Sequence, residues 1–147
     1  SFMAISQFDD TKKRLRTLVL NRQLVGLAND TKWNELVKAC IAMDWNGPIF
    51  RYKCIDNDYV SDPWFEWESI PYPTLAIEWL DIFYLENQKQ HALLPSKIID
   101  HSFEIESILN DIGLDYKKGK NCFRIFGYAP RNEDGFIDAN TNDKYNA

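Results

Sequence analysis

The sequence predicts an α+β domain, in which helices are grouped at the start of the chain and antiparallel strands follow. Apolar residues recur at helical intervals before residue 46 and again after residue 100, whereas from residue 49 the chain is aromatic, β-branched and partly alternating. Helices and strands therefore do not alternate as βαβ units. We expect N-terminal helices, a mainly antiparallel sheet of about five strands with one face covered by helices, and one further helix before a C-terminal hairpin.

Two helices are predicted before residue 46. In the first, residues 11–28, Leu20, Leu24 and Leu27 share one face, while a basic run crowds the start: Lys12, Lys13, Arg14 and Arg16. Cations at a helix N-terminus oppose the helix dipole, so we expect this run to serve a partner or to balance acidic residues elsewhere. The second helix has a clear apolar stripe, comprising Trp33, Leu36, Val37, Cys40 and Ile41. Asp30 or Thr31 is its expected cap.

The middle of the chain predicts strands. Residues 49–55 and 64–70 are rich in aromatic and β-branched side chains, with turn residues between them. Residues 75–85 are ambiguous between helix and strand, and their aromatic content and Pro-flanked start favour a strand over residues 76–83. Residues 88–95 are expected to form a loop.

The last third predicts a helix and a hairpin. Asp100 or Ser102 caps the expected helix, Ile105, Ile108 and Leu109 lie on its apolar stripe, and Gly113 ends it. Residues 114–116 and 122–128 then form the strands of the hairpin. We expect a single domain over residues 1–128 and a polar, loosely held tail over residues 129–147.

Composition is typical of a globular protein that needs neither metal nor disulfide to fold. The chain has 147 residues, of which 45% are hydrophobic, and its net charge is −5. No apolar run is long enough to span a bilayer, and the first residues lack the pattern of a signal peptide, so a cytoplasmic location is expected. The three cysteines belong to no CxxC pair and are interpreted as buried, reduced thiols.

The most distinctive feature is an acidic segment, residues 54–88, which contains no lysine or arginine. Its charge is −8, which leaves +3 on the rest of the chain. The segment is also aromatic, with Trp64, Phe65 and Trp67 near its centre. Its eight carboxylates are Asp56, Asp58, Asp62, Glu66, Glu68, Glu78, Asp81 and Glu86. Such a segment suits a basic partner, because carboxylates steer and pair with Lys and Arg while an aromatic side chain anchors the contact.

An enzyme is the alternative interpretation. On a strand, Glu66 and Glu68 would point to one face with Glu78 and Asp81 nearby, a pattern that suits a metal-dependent hydrolase. No lysine accompanies these carboxylates, and His91 and His101 lack metal-ligand spacing. The sequence contains no GxSxG elbow and no Gly-rich phosphate loop. Residues 138–143 resemble the start of a calcium loop, but they lack its glycine and its final glutamate. We therefore predict no catalytic residue, no metal site and no cofactor.

Nucleic-acid binding is disfavoured by charge. A basic surface would need the first helix to pack near the C-terminal hairpin, and the sequence pI near 5.0 opposes phosphate binding over much of the surface. The cations concerned are Lys12, Lys13, Arg14, Arg16, Arg22, Lys117, Lys118, Lys120 and Arg124.

Three stretches together carry a family resemblance: TKWNEL at residues 31–36, IEWLDI at 77–82 and RIFGY at 124–128. They resemble an uncharacterised family of small bacterial domains, with the likeness running from about residue 29 to residue 128. The resemblance implies no activity and no catalytic residue. In size, charge and α+β character the chain is also similar, more weakly, to the immunity proteins of bacterial toxin systems.

The sequence therefore predicts a non-enzymatic protein-binding module, an inhibitor of the immunity or antitoxin type whose basic partner is a toxin. The predicted partner-binding residues are Asp56, Asp58, Asp62, Trp64, Glu66 and Glu68. Besides the hydrolase, a homo-oligomer in which aromatic strands meet across a two-fold axis is an alternative. No membrane partner is expected.

Overall fold

The computed structural model describes residues 2–136, with side chains from residue 6 onward. Its helices are α1 (Phe2–Asn21), α2 (Asp30–Ile41) and α3 (Ser102–Ile112). Its strands are β1 (Val25–Gly26), β2 (Phe50–Cys54), β3 (Ile77–Phe83), β4 (Leu85–Gln88), β5 (Lys97–Asp100), β6 (Tyr116–Lys118), β7 (Cys122–Phe126) and β8 (Tyr128–Ala129). Short 3₁₀ turns lie at Trp67–Ser69 and Thr74–Ala76. The calcium-like residues 138–143, and most of the predicted tail, lie outside the described residues.

The α+β class is confirmed, and all strand pairs are antiparallel. The strands differ from the expected single sheet of about five. Four of them form the main sheet in the order β2-β3-β7-β6, and the others form the two-stranded sheets β1-β8 and β4-β5. Strand β3 confirms the strand interpretation of residues 76–83. Strands β6 and β7 confirm the C-terminal hairpin, although its first strand lies at residues 116–118 and not at 114–116.

One face of the main sheet packs against helices α2 and α3. Buried side chains from this face interlock with Trp33 and Leu36 of α2 and with Ile105 and Leu109 of α3. The sheet contributes Phe50, Leu80, Ile82, Phe123 and Ile125 to this core. At about 25 cal/mol per Å² of buried apolar surface, these large side chains are the main source of the fold's stability. Helix covering of one face is as the sequence predicts.

The predicted helix caps are partly corrected. Helix α2 is capped by Asn29, whose Oδ1 accepts the Lys32 N–H at 2.9 Å, rather than by Asp30 or Thr31. At α3 the cap residue is His101, although the Asp100 carboxylate accepts the Ser102 N–H at 2.7 Å. Gly113 ends α3 with a φ of 82°, the left-handed conformation that glycine adopts without strain.

The bounds of α1 remove the helix-dipole argument that was made for its charges. The helix begins at Phe2 and ends at Asn21, so the basic run lies in its middle and not at its N-terminus. The argument from the helix dipole was therefore wrong. Leu24 and Leu27, assigned to the helix by their spacing, flank β1 instead. No helix in the described part of the chain is long and apolar enough to cross a membrane.

In the middle of the chain, one further prediction was wrong and one element was missed. Residues 64–70 form no strand: Trp64 makes an isolated bridge to Phe50, and a 3₁₀ turn then carries Trp67 into the core, where its Nε1 donates to the Pro48 carbonyl at 2.9 Å. Residues 89–95 form the predicted loop, but the sequence did not predict that this loop joins β4 and β5 in a hairpin. Most of its side chains are exposed, so the hairpin lacks the apolar alternation that predicts strands.

Among the cysteines, Cys40 and Cys122 are buried and Cys54 is half-buried, and all three are free thiols. Burial raises the pKa of the Cys54 thiol to about 11 and that of Cys122 to about 12, and it raises the pKa of Cys40 further. Thiols protonated at neutral pH are poor nucleophiles, so the cysteines act as core residues.

Candidate functional site

The acidic loop, residues 56–68, lies along the outer edge of β2. Phe50 and Trp64 exchange two backbone hydrogen bonds of 2.9 Å, and further along the edge the Ser61 N–H donates to the Tyr52 carbonyl at 2.9 Å. The Tyr52 N–H in turn donates to Ser61 Oγ at 2.9 Å. These bonds fix the loop to a strand of the main sheet, so its side chains are presented from a rigid base.

Five carboxylates belong to the acidic loop. All five residues are exposed, namely Asp56, Asp58, Asp62, Glu66 and Glu68. Asp56 accepts Arg14 at 3.0 Å, an exposed ion pair of the kind worth about 0–1 kcal/mol. The other four form no ion pair within residues 2–136. In the part of the chain that the structure describes, the loop therefore presents four negative charges to solvent without a cation beside them.

Large apolar side chains are exposed beside these carboxylates. Trp64 is 47% exposed, Phe65 60% and Tyr59 62%. The rings of Trp64 and Phe65 pack on each other with their centroids 4.8 Å apart. A cleft of about 200 Å³ opens beside Trp64, with Tyr59 and Asp62 in its lining. All six predicted partner-binding residues thus lie in one short stretch, with their side chains accessible.

The remaining carboxylates of the acidic segment are held by cations or a histidine. Asp81 is fully buried within a charged row that crosses the main sheet. The successive register partners in this row are Arg51 on β2, Asp81 on β3, Arg124 on β7 and Lys117 on β6. Asp81 accepts Arg124 Nε at 2.7 Å, Arg124 Nη2 at 3.0 Å and Arg51 Nε at 2.8 Å. The guanidinium of Arg124 also lies 3.5 Å from the ring centroid of Trp79.

Residues 130–136 cross the face of the main sheet that carries this charged row. Arg124 Nη1 donates to the carbonyls of Asn132 at 3.1 Å and Asp134 at 2.7 Å, so every guanidinium nitrogen of Arg124 has a partner. Arg51 donates to the Gly135 carbonyl at 3.4 Å. The first residues of the predicted tail are consequently held against the sheet, which corrects the expectation that they are loosely held.

Glu78 lies next to the charged row because of a β-bulge. Lys53 pairs with Trp79 and Cys54 with Ile77, so Glu78 is an extra residue on β3. Its carboxylate accepts Lys53 at 2.9 Å, Asn132 at 2.8 Å and Arg22 at 3.4 Å. Burial alone raises the pKa of Glu78, but these hydrogen bonds and the charges of Lys53 and Arg22 outweigh it and hold the pKa below its ordinary value of 4.5.

This lowered pKa predicts a pH dependence of stability that Glu78→Gln removes. A carboxylate whose folded-state pKa is lowered stabilises the fold above the ordinary pKa, and that contribution disappears as the pH falls through the lowered value. The free energies of unfolding of the wild type and of Glu78→Gln, measured with urea from about pH 7 to about pH 3, should therefore converge as the pH falls. A difference that stays constant across this range would contradict the assignment.

A second cleft, which the sequence did not predict, surrounds His101. Its imidazole stacks on Trp45, with ring centroids 4.0 Å apart and planes within 2° of parallel. His101 Nε2 lies 2.8 Å from a Glu86 carboxylate oxygen. Asp44 and Glu104 also line this cleft, whose volume is about 490 Å³. The residues come from separate elements, so no local spacing in the sequence signals them.

The geometry does not assemble the carboxylates of the hydrolase interpretation. Glu66 and Glu68 flank Trp67 in a 3₁₀ turn and do not share a strand face, whereas Glu78 and Asp81 are already bonded to cations. Within residues 2–136, no group of three or more His, Cys, Asp or Glu residues is arranged to hold a metal ion. The nine cations of the nucleic-acid interpretation are similarly divided, since Arg124 is buried and Arg14 and Arg22 are in ion pairs.

The fold and these surfaces define an α+β domain that presents an exposed acidic, aromatic loop next to a sheet braced by buried ion pairs. Within that class, the chain belongs to a family of unknown function, DUF6678, whose family model matches residues 15–132. The resemblance to an uncharacterised family is confirmed. Comparisons with curated proteins and with solved structures return no match. The likeness to toxin-immunity proteins gains no support from them.

Proposed function

We propose that this protein is a non-enzymatic binding module that takes a basic protein partner on its acidic loop. The observation that carries the proposal is that one loop combines four exposed carboxylates, which form no ion pair within the described residues, with the exposed Trp64 and Phe65 rings. Interfaces of this kind use charge to steer the encounter and a few buried aromatic anchors to supply most of the affinity.

The partner that fits has Lys or Arg side chains around an apolar centre. Its cations would pair with Asp58, Asp62, Glu66 and Glu68, while an apolar group would cover Trp64 and Phe65. Asp56 contributes less, because Arg14 already occupies it at 3.0 Å. An immunity-type inhibitor of a basic toxin in the bacterial cytoplasm is the form of this proposal that the sequence favours.

The test is capture from a bacterial lysate at low salt by a variant pair matched in charge. The test variant carries Asp58→Asn, Asp62→Asn, Glu66→Gln and Glu68→Gln. Its control neutralises four exposed carboxylates elsewhere, Asp9, Asp10, Glu35 and Asp111, and so has the same net charge. We expect the wild type and the control to capture the same basic protein and the loop variant to lose it. Capture by the loop variant as well, or by none of the three, would contradict the proposal.

With the purified partner, the association rate should fall as salt is raised, because exposed charges are screened beyond about 10 Å at 0.1 M salt. The loop variant should associate slowly at every salt concentration, whereas Trp64→Ala should mainly speed dissociation. An association rate that does not change with salt would overturn the electrostatic part of the proposal.

A further inference from the structure

The basic run of α1, singled out in the sequence, divides between two surfaces. Arg14 reaches the acidic loop at Asp56, but Lys12 and Arg16, one helical turn apart, line a cleft on another side of the helix. Neither Lys12 nor Arg16 forms a salt bridge within residues 2–136. The acidic loop therefore does not account for these two cations.

The cleft has the size and the mixed lining of a small-molecule site. Its volume is about 370 Å³, within the range of roughly 300–1,000 Å³ that is usual for ligand pockets. Lys12 and Arg16 line it, and apolar groups form much of the wall, contributed by Val19, Ala28, Pro73, Leu75 and Tyr128. Gly26 also lines it, and a Cβ added there would meet no atom within 4 Å, so this side of the cleft is open space.

Each of the other polar side chains of the wall makes a hydrogen bond within the protein. The Tyr128 hydroxyl donates to the Leu75 carbonyl at 2.6 Å, and the Thr74 hydroxyl donates to the Asp30 carboxylate. Asn29 caps α2 through the Lys32 N–H at 2.9 Å. The N-terminus of α2 attracts an anion only weakly, because the negative charge of Asp30 in the first turn of this helix repels one. The cations of α1 are then the groups left to bind a ligand.

We infer that this cleft binds a small amphipathic anion, with a carboxylate or phosphate on Lys12 and Arg16 and an apolar body against Val19, Ala28 and Leu75. Lys12 is partly held in place, because its Nζ lies 4.6 Å from the ring centroid of Phe8. A guanidinium and an ammonium together favour an oxyanion through charge-assisted hydrogen bonds. The site is separate from the acidic loop and does not depend on the function proposed for it.

The test is a titration of the full chain, followed by the backbone amide signals, with three probes. Octanoate carries both parts of the predicted ligand, inorganic phosphate carries the charge alone, and octanol carries the apolar body alone. We expect octanoate to give saturable shifts at Val19, Ala28 and Leu75 and to bind at least about tenfold more tightly than either of the others. Octanol or phosphate binding as tightly as octanoate, or no saturable shift with octanoate, would overturn the inference.

Variants distinguish this cleft from general attraction to a basic helix. Lys12→Gln and Arg16→Gln should each weaken octanoate binding by about tenfold, the loss of one charge-assisted hydrogen bond. Lys13→Gln removes the same charge from a neighbouring exposed residue that does not line the cleft, and it should leave binding unchanged. Gly26→Leu, which fills the open side, should abolish binding. Equal losses from Lys12→Gln and Lys13→Gln, or undiminished binding by Gly26→Leu, would show that the cleft is not the site.

Discussion

Replacing Asp81 with asparagine is expected to lower the free energy of unfolding by about 3–5 kcal/mol, the usual cost of breaking a buried ion pair by removing one partner. Asp81 and Arg124 are both 0% exposed, and their two hydrogen bonds are 2.7 and 3.0 Å long. Asparagine keeps the size of the side chain but leaves the Arg124 charge uncompensated in the interior. Urea unfolding of the wild type and the variant measures this loss of unfolding free energy. The slope m, the dependence of the unfolding free energy on urea concentration, is compared between the two proteins.

The double variant Asp81→Leu with Arg124→Met is the informative control. It removes both buried charges, and because a buried ion pair is often no better than apolar side chains of similar volume, it should regain much of the stability lost by Asp81→Asn. Arg51 then also loses its carboxylate, but its side chain is 30% exposed and can be solvated. A loss for Asp81→Asn as small as that for the exposed Asp58→Asn would contradict the central role of this pair.

Elements with strong periodicity were predictable from the sequence. The stripe from Trp33 to Cys40 gave α2, the stripe around Ile105 and Leu109 gave α3, and the glycine after α3 has the expected left-handed conformation. In each case the pattern and the packing agree, because the same residues that repeat at helical intervals are those that are buried. Strand β3 was predicted for a different reason, its aromatic content and Pro-flanked start, because its residues are buried on both faces and show no decisive period.

Elements whose form depends on distant contacts were not predictable. Residues 64–70 have a strand's composition, yet Trp67 enters the core, where it contacts the Pro48 carbonyl and Phe50. A regular strand paired with Phe50 at Trp64 would place the Trp67 side chain on the face opposite to Phe50. The hairpin of β4 and β5 escaped prediction because its side chains are mostly exposed. The bounds of α1 shifted because Val25 and Gly26 pair with β8, about a hundred residues further along the chain.

The candidate site was predicted in part, because charge counted along a sequence ignores partners brought in by folding. Five of the eight carboxylates of the acidic segment lie on the exposed acidic loop, and the other three contact a cation or a histidine within the fold. Asp81 is neutralised by Arg51 and Arg124, and Glu78 by Lys53 and Arg22, all from outside the segment. The surface relevant to a partner is therefore smaller and more local than the −8 of the segment indicates.

Replacing Gly127 with alanine is the second change for which we expect a large loss, about 3 kcal/mol of unfolding free energy. A Cβ at Gly127 would lie 2.1 Å from the Ile77 carbonyl oxygen and 3.3 Å from that of Glu78. Both contacts are with the backbone of the central strand β3, next to the bulge at Glu78, and the Gly127 N–H donates to the Glu78 carbonyl at 2.8 Å. No side-chain rotation can relieve this clash, so the backbone at Gly127, which follows β7, would have to move away from β3.

Gly26→Ala is the matched control for this prediction, because the same added methyl group would meet no atom within 4 Å. The free energy of unfolding, measured with urea, should change by no more than the roughly 0.5 kcal/mol of ordinary surface substitutions. If the two alanine variants are equally stable, the close approach of the Gly127 backbone to β3 would be contradicted. The expected difference gives the glycine of the RIFGY stretch a physical reason: immediately after β7, the backbone of Gly127 meets the backbone of β3 too closely for any side chain.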